Sequence, residues 1–131
     1  MNKHYRAAFT SDIRNVAKVR QAGAAFADGC GFSREVVADI RLAAGEALSN
    51  AVEHGCALSP RRVVVECTFD GSRLTVEVND GGPGFPAPSD RPSIEPDGRG
   101  RGFGIFLMRR LMDEVSFARD GTVVRLVRRL S

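Results

Sequence analysis

Cysteine is scarce: Cys30, Cys56 and Cys67 are odd in number, far apart, and include no C-x-x-C pair. That speaks against a disulfide framework or a thiolate zinc site and fits a reducing compartment. No apolar run approaches the ~18 residues of a membrane-spanning helix. The opening M-N-K-H-Y-R lacks a signal-peptide core. Repeats and low-complexity tracts are also missing. Neither sign of charge dominates: the net charge of +3 and pI near 9.1 are too mild to demand nucleic acid. What is present is ordinary globular composition, 43% hydrophobic and 27% charged. The expectation is a cytoplasmic protein of one domain, residues 1–131, with neither nucleic acid nor membrane as a direct partner.

Along the chain, His4–Phe9 reads as a short edge strand. Ser11 or Asp12 can cap a helix running to about Asp28, with Ile13, Val16, Ala17, Val19, Ala24 and Phe26 as its buried side. Gly29-Cys30-Gly31 breaks it, and Ser33 caps a second helix that ends at Gly55. Arg61–Phe69 and Arg73–Asn79 are strands joined at Asp70-Gly71, a hairpin signal. Alternation places Val63, Val65, Cys67 and Phe69 on one face, matched by Leu74, Val76 and Val78, whereas Thr75, Glu77 and Asn79 point away. Strands with one apolar and one wet face belong to an antiparallel sheet covered on one side, not to a doubly wound parallel sheet. Asp80–Gly104 holds five prolines and seven glycines and cannot be a regular element. A third helix follows over Phe103–Met112, with Phe103, Phe106, Leu107 and Leu111 on its apolar side. Val115–Ala118 and Thr122–Leu130 form a second hairpin turned at Asp120-Gly121.

Three stretches carry candidate chemistry. In R-L-A-A-G-E-A-L-S-N-A-V-E-H-G (Arg41–Gly55), Glu46, Asn50 and His54 stand four residues apart, neighbours along one stripe of a helix. Beside them Val37, Ile40, Ala44, Ala47, Leu48 and Ala51 recur at helical spacing and can be buried. A carboxylate can take a proton from a nucleophile, and an amide oxygen suits a hard cation such as Mg²⁺. Polar residues on a surface helix would look the same. Asp80 has the parity of Leu74, Val76 and Val78, so its carboxylate points to the apolar side, which is costly unless something donates to it. An adenine amine would do so, although Asp80 also suits the start of a turn. Gly98-Arg99-Gly100-Arg101-Gly102-Phe103-Gly104 runs straight into a helix, where backbone N–H groups bind phosphate well. A flexible linker with two solvated arginines is the plainer alternative.

In this order the three segments resemble the N, G1 and G2 boxes of the gyrase, histidine-kinase and MutL-type ATP-binding superfamily. E-A-L-S-N-A-V-E-H-G, V-N-D-G-G-P-G-F, G-R-G-F-G-I-F-L-M-R-R-L-M-D-E-V and G-T-V-V-R-L are similar to the anti-sigma-factor serine/threonine kinases within it. The resemblance implies an α/β two-layer sandwich, with a mixed, mostly antiparallel sheet and helices on one face (the Bergerat fold). It further implies that Asn50 coordinates Mg²⁺ bridging the phosphates of ATP and that Asp80 reads the adenine amine. Gly82, Gly84 and Phe85 would shape the base pocket, with residues 86–101 as the lid. Gly100, Gly102, Phe103 and Gly104 would surround the phosphates, with Arg101 or Arg99 reaching the γ-phosphate. Thr122 matches a position near the nucleotide. Glu46 would be the general base for a serine or threonine on a partner, usually a small anti-anti-sigma (STAS) domain, with a sigma factor competing for the kinase. Members of the family often form homodimers.

The expected function is thus ATP-dependent phosphorylation of a partner protein combined with sigma-factor binding. The alternative is a nucleotide-dependent module that sequesters its partner without phosphorylating it. A mechanical ATPase or a detached histidine-kinase domain fits less well, for want of transducer segments or a phosphohistidine hairpin. His54 is expected to serve the helix end, and the cysteines to be small core residues. Arg125, Arg128 and Arg129 read as a solvated face first and a docking surface for an acidic partner second.

Overall fold

The computed structural model describes residues 2–55, 62–81, 101–118 and 122–130, with the side chains of residues 13, 54, 55, 101 and 102 outside that description. Strand β1 (Lys3–Thr10) leads into helix α1 (Ile13–Gly29), capped by Asp12, whose carboxylate accepts from the Arg14 N–H at 2.9 Å. Cys30 ends α1, and Gly31 at φ 99° turns the chain through the left-handed region that glycine tolerates. Ser33 then caps helix α2 (Arg34–Asn50) by accepting from the Val36 N–H. Beyond Asn50 the helix widens into a π-helical turn over Ala51–Gly55.

The remaining elements are β2 (Arg62–Phe69), β3 (Arg73–Asn79), helix α3 (Arg101–Leu111), β4 (Glu114–Ala118) and β5 (Val123–Arg129). The strands lie in the order β1-β2-β3-β5-β4. Every pairing among them is antiparallel, so the expected mostly antiparallel sheet has no parallel pair among the described residues. Alternation fixes the register: Val65 faces Val78, Cys67 faces Val76, and Val76 in turn faces Leu126. These inward residues pack with Ile40, Ala43, Ala47 and Leu48 of α2 and Ile105 and Met108 of α3 in one core. Phe32 meets Phe69 edge to face, with centroids 6.0 Å apart.

Four sequence expectations change in detail. The β2–β3 turn pairs Asp70 with Arg73, so its central residues are Gly71 and Ser72, not Asp70 and Gly71. Gly71 at φ 100° takes the first central position. The Asp70 carboxylate accepts from the N–H groups of Ser72 and Arg73, which holds the turn from outside. In α1, Ala17 is exposed and Ala27 is buried instead. In α3, the core side is Gly104, Ile105, Met108 and Met112, not Phe103, which is 45% exposed. Apolar residues at 103 and 105–108 spread around the early turns of that helix, so their spacing alone does not set its phase. Finally, the three C-terminal arginines are paired. Arg125 meets Glu77 at 3.2 Å and Arg129 meets Glu114 at 3.0 Å. Arg128 donates to the Leu111 carbonyl at 2.6 Å and lies near Asp39 and Asp113.

Leu126 is fully buried at the centre of this core. Leu126→Ala is expected to lower the unfolding free energy by about 2–5 kcal/mol in urea titrations. The matched change Leu42→Ala, at a residue 47% exposed, should stay within about 0.5 kcal/mol of the parent.

Candidate functional site

Helix α2 delivers two of the candidate residues. Glu46 and Asn50 are partly buried one turn apart, while Ala43, Ala44, Ala47 and Leu48 hold the other side of the helix in the core. Burial pushes the Glu46 carboxyl above its ordinary value of 4.5, and the negative charge of Glu53 pushes it further in the same direction. Glu53 was not singled out from the sequence. It sits in the π-helical turn that directly follows Asn50, the kind of helix irregularity that often accompanies functional sites.

Strand β3 delivers the third. Asp80 follows its last residue and is 4% exposed, the one buried charged residue among those described. The β3–β5 ladder continues one step past Asn79 and Val123, so that the Asp80 N–H donates to the Thr122 carbonyl at 3.0 Å. Asn79 then accepts from the Gly81 N–H through its side chain at 2.9 Å, and Gly81 at φ 64° turns the chain off the sheet. Both observations place Asp80 at the mouth of the sheet with its carboxylate on the helix side.

Asn50, Asp80 and Thr122 line one pocket together with Ala47, Ala51, Val78, Phe117 and Val124. Its walls are small or flat apolar groups around a buried carboxylate, which suits the edge of an aromatic base that carries an amine. The space is about 20 Å³, room for the edge of a ring and not for a whole nucleotide. Phe117 was absent from the candidates, although its parity with Val115 on β4 marks it as inward-facing. A groove of about 680 Å³ runs over the helix-free side of the sheet among Arg73, Thr75, Glu77 and Arg125 and contains none of the candidate residues.

Helix α3 closes the other side. Gly104 is buried against α2: a Cβ built there would lie 2.7 Å from Glu46 Oε2 and 3.8 Å from Asn50 Nδ2. The first turn of α3, beginning at Arg101, therefore lies beside Glu46 and Asn50, and its positive dipole end suits an anion there. The fold thus assembles Glu46, Asn50, Asp80, Gly104 and Thr122. Phe103 stands on the exposed side of α3. Gly82, Gly84, Phe85, Arg99, Gly100 and most of the expected lid lie outside the described residues, as do the side chains of Arg101, Gly102 and His54. No group of three or more metal-ligating His, Cys, Asp or Glu side chains exists among the described residues.

Glu46 has a stability consequence. With its folded pKa raised, the folded state holds that proton more tightly than the unfolded chain does. Its contribution is most favourable below the unfolded value and is lost as pH rises toward the folded one. Glu46→Gln should therefore melt higher than the parent at neutral pH in calorimetry. The gain should shrink as pH falls through the raised folded value toward 4.5, the ordinary glutamate value, and be gone below it.

Comparison with known proteins agrees with this geometry. Residues 9–128 match the family described as histidine kinase-like ATPase domain. An anti-sigma F factor of Thermoanaerobacter pseudethanolicus is 30% identical over 129 residues, covering 92% of this chain and 89% of that protein. The serine-protein kinase RsbW of Listeria monocytogenes is 31% identical over 103 residues, covering 72% of this chain and 66% of that protein. A solved structure of the RsbU and RsbW domains of a Mycobacterium tuberculosis protein superposes with a TM-score of 0.71. It is 21% identical, and the match covers 98% of this chain and 32% of that one. With the fold, the pocket and the match along most of its length in agreement, this chain belongs to the histidine kinase-like ATPase domain family.

Proposed function

We propose that the protein is an ATP-dependent serine/threonine kinase and anti-sigma factor, acting on an anti-anti-sigma (STAS) domain and binding a sigma factor. The observation that carries the reading is the half-buried Glu46, with its raised pKa, one turn from Asn50 and against the first turn of α3. The names of its relatives, anti-sigma F factor and serine-protein kinase, supply the partner classes.

In this reading Asp80 accepts from the amine of adenine while Ala47, Ala51, Val78 and Phe117 cover its faces. Thr122 lines the same pocket. Gly82, Gly84 and Phe85 complete the base site, residues 86–101 form the lid, and Arg99, Gly100, Arg101 and Gly102 hold the triphosphate. The Asn50 amide oxygen is suited to Mg²⁺, which when bound neutralises phosphate charge. Glu46 takes the proton of the partner's hydroxyl as that oxygen bonds to the γ-phosphorus; the bond from the γ-phosphorus to the bridging oxygen breaks and ADP leaves. Most of the rate enhancement then comes from positioning and charge neutralisation. The proposal extends to a homodimer of single-domain chains in the cytoplasm; no described helix is long and apolar enough to cross a membrane.

The test is transfer of labelled phosphate from Mg-ATP into a STAS-domain protein of the source organism. Glu46→Gln should cut transfer at least about a hundredfold while leaving ATP binding in place. Transfer at the parental rate would remove Glu46 from its role, and bound ATP without any transfer would favour the sequestering module. Asp80→Asn should abolish ATP binding by calorimetry, because an amide offers the adenine amine a weaker and misdirected partner.

The reaction should also report the environment of Glu46. Only the ionised carboxylate accepts a proton, so transfer should rise with pH through a midpoint above the ordinary 4.5. Glu53→Gln removes the second cause of the shift and should move that midpoint down. An unchanged acid limb would show that Glu53 does not act on the base.

A further inference from the structure

Gly104 occupies a place where glycine is unfavourable on local grounds. It is the fourth residue of α3, inside a hydrogen-bonded helix, where glycine is a poorer helix former than alanine. Nor is it there for backbone freedom: Gly31, Gly71 and Gly81 are the glycines with positive φ among the described residues, and Gly104 is not one of them. What distinguishes it is space. A side chain at this position would begin 2.7 Å from Glu46 Oε2, closer than real Cβ contacts come. Its family resemblance gives it a phosphate-holding role, yet the room it leaves is filled by side chains of α2, Glu46 and Asn50.

The structure assigns Gly104 as a positioning residue for Glu46: by lacking a side chain, it lets α3 close on the carboxylate and hold it in one place beside Asn50. The atom in the way is the free end of a flexible side chain, so an added methyl would displace the carboxylate and leave both helices standing. Asn50, at 3.8 Å from the same point, would keep ordinary contact. The result is a protein that folds and binds nucleotide while its proton acceptor is out of line. The catalytic part of this assignment rests on the kinase reading above; the packing part does not.

Two measurements on the full chain separate those parts. The first compares phosphate transfer and ATP affinity in Gly104→Ala and the parent. Transfer should fall about a hundredfold, the usual effect of misplacing a reacting group by an ångström or so, with ATP affinity unchanged. Joint loss of transfer and ATP binding would return Gly104 to the phosphate cradle and overturn the assignment, as would transfer at the parental rate. The second is a double-mutant cycle in melting temperature, which needs no activity. Gly104→Ala should raise the melting temperature more in a Glu46→Ala background, where the carboxylate is gone, than in the parent. Equal shifts in both backgrounds would overturn the assignment. A parent that transfers no phosphate but shows the coupling would sink the kinase reading and leave the packing of Gly104 on Glu46 standing.

Discussion

The alanines of α2 set how near a helix can come to a sheet and to its neighbours. Ala43, Ala44 and Ala47 are buried, as is Ala51 just beyond the helix, and Gly45 is buried beneath Arg20, whose Cδ would stand 2.8 Å from any Cβ added there. Methyl groups and a bare backbone on that side let α1 and the sheet close in, while Ile40 and Leu48 fill the gaps between them. Close packing holds the helix axis, and with it the direction of every side chain on the shoulder. Glu46 and Asn50 can therefore be short of solvent without being lost in the core. Larger residues on the buried side would lift α2 from the sheet and separate Asn50 from Asp80, which now share a pocket.

The molecule divides its charge between its two faces. Over the helix-free side of the sheet, carboxylates and guanidinium groups stand opposite one another, as Glu77 and Arg125 do, both largely open to water. Such pairs contribute little to stability and are screened by salt. On the covered side Asp80 stands among apolar groups and Glu46 is half withdrawn from water. Among the described residues, burial of carboxylates is thus concentrated around the pocket that Asn50, Asp80 and Thr122 line.

Much of this was legible in the sequence, for reasons that can be traced. The hairpin strands alternate cleanly, so their inward residues and the burial of Asp80 follow from parity alone. The caps at Asp12 and Ser33 bond their own helices, so local spacing suffices to find them. Glu46 and Asn50 are one turn apart in a single element, and their proximity needs no tertiary information. Phase was lost where pattern was weak: Phe103, Ile105, Phe106, Leu107 and Met108 spread around the early turns of α3, and the exposed Arg109 and Arg110 come at its end. The β2–β3 turn was misplaced by one residue because Asp70 braces it from outside with its side chain, while Gly71 and Ser72 make the bend. Contacts between distant elements were beyond reach. Neither the approach of Gly104 to Glu46 nor the joining of Asp80 to Thr122 has any local signature, since each depends on how elements distant in sequence settle against one another.

Among the described residues, strand β1 lies at the edge of the sheet and pairs with β2 alone, matching Lys3 with Phe69 and Thr10 with Arg62. During synthesis the first strand leaves the ribosome long before its partner exists. What can form in the interval is the neighbouring pair α1 and α2, whose contacts are short in sequence and whose caps are their own. The helix bearing Glu46 and Asn50 has a partner helix available before there is a sheet for it to cover. For that interval its alanine face and the apolar side of β1 are both uncovered, the condition in which nascent chains are most prone to stick to one another. The order of the elements makes the helical pair a template, on which strands are laid as they appear.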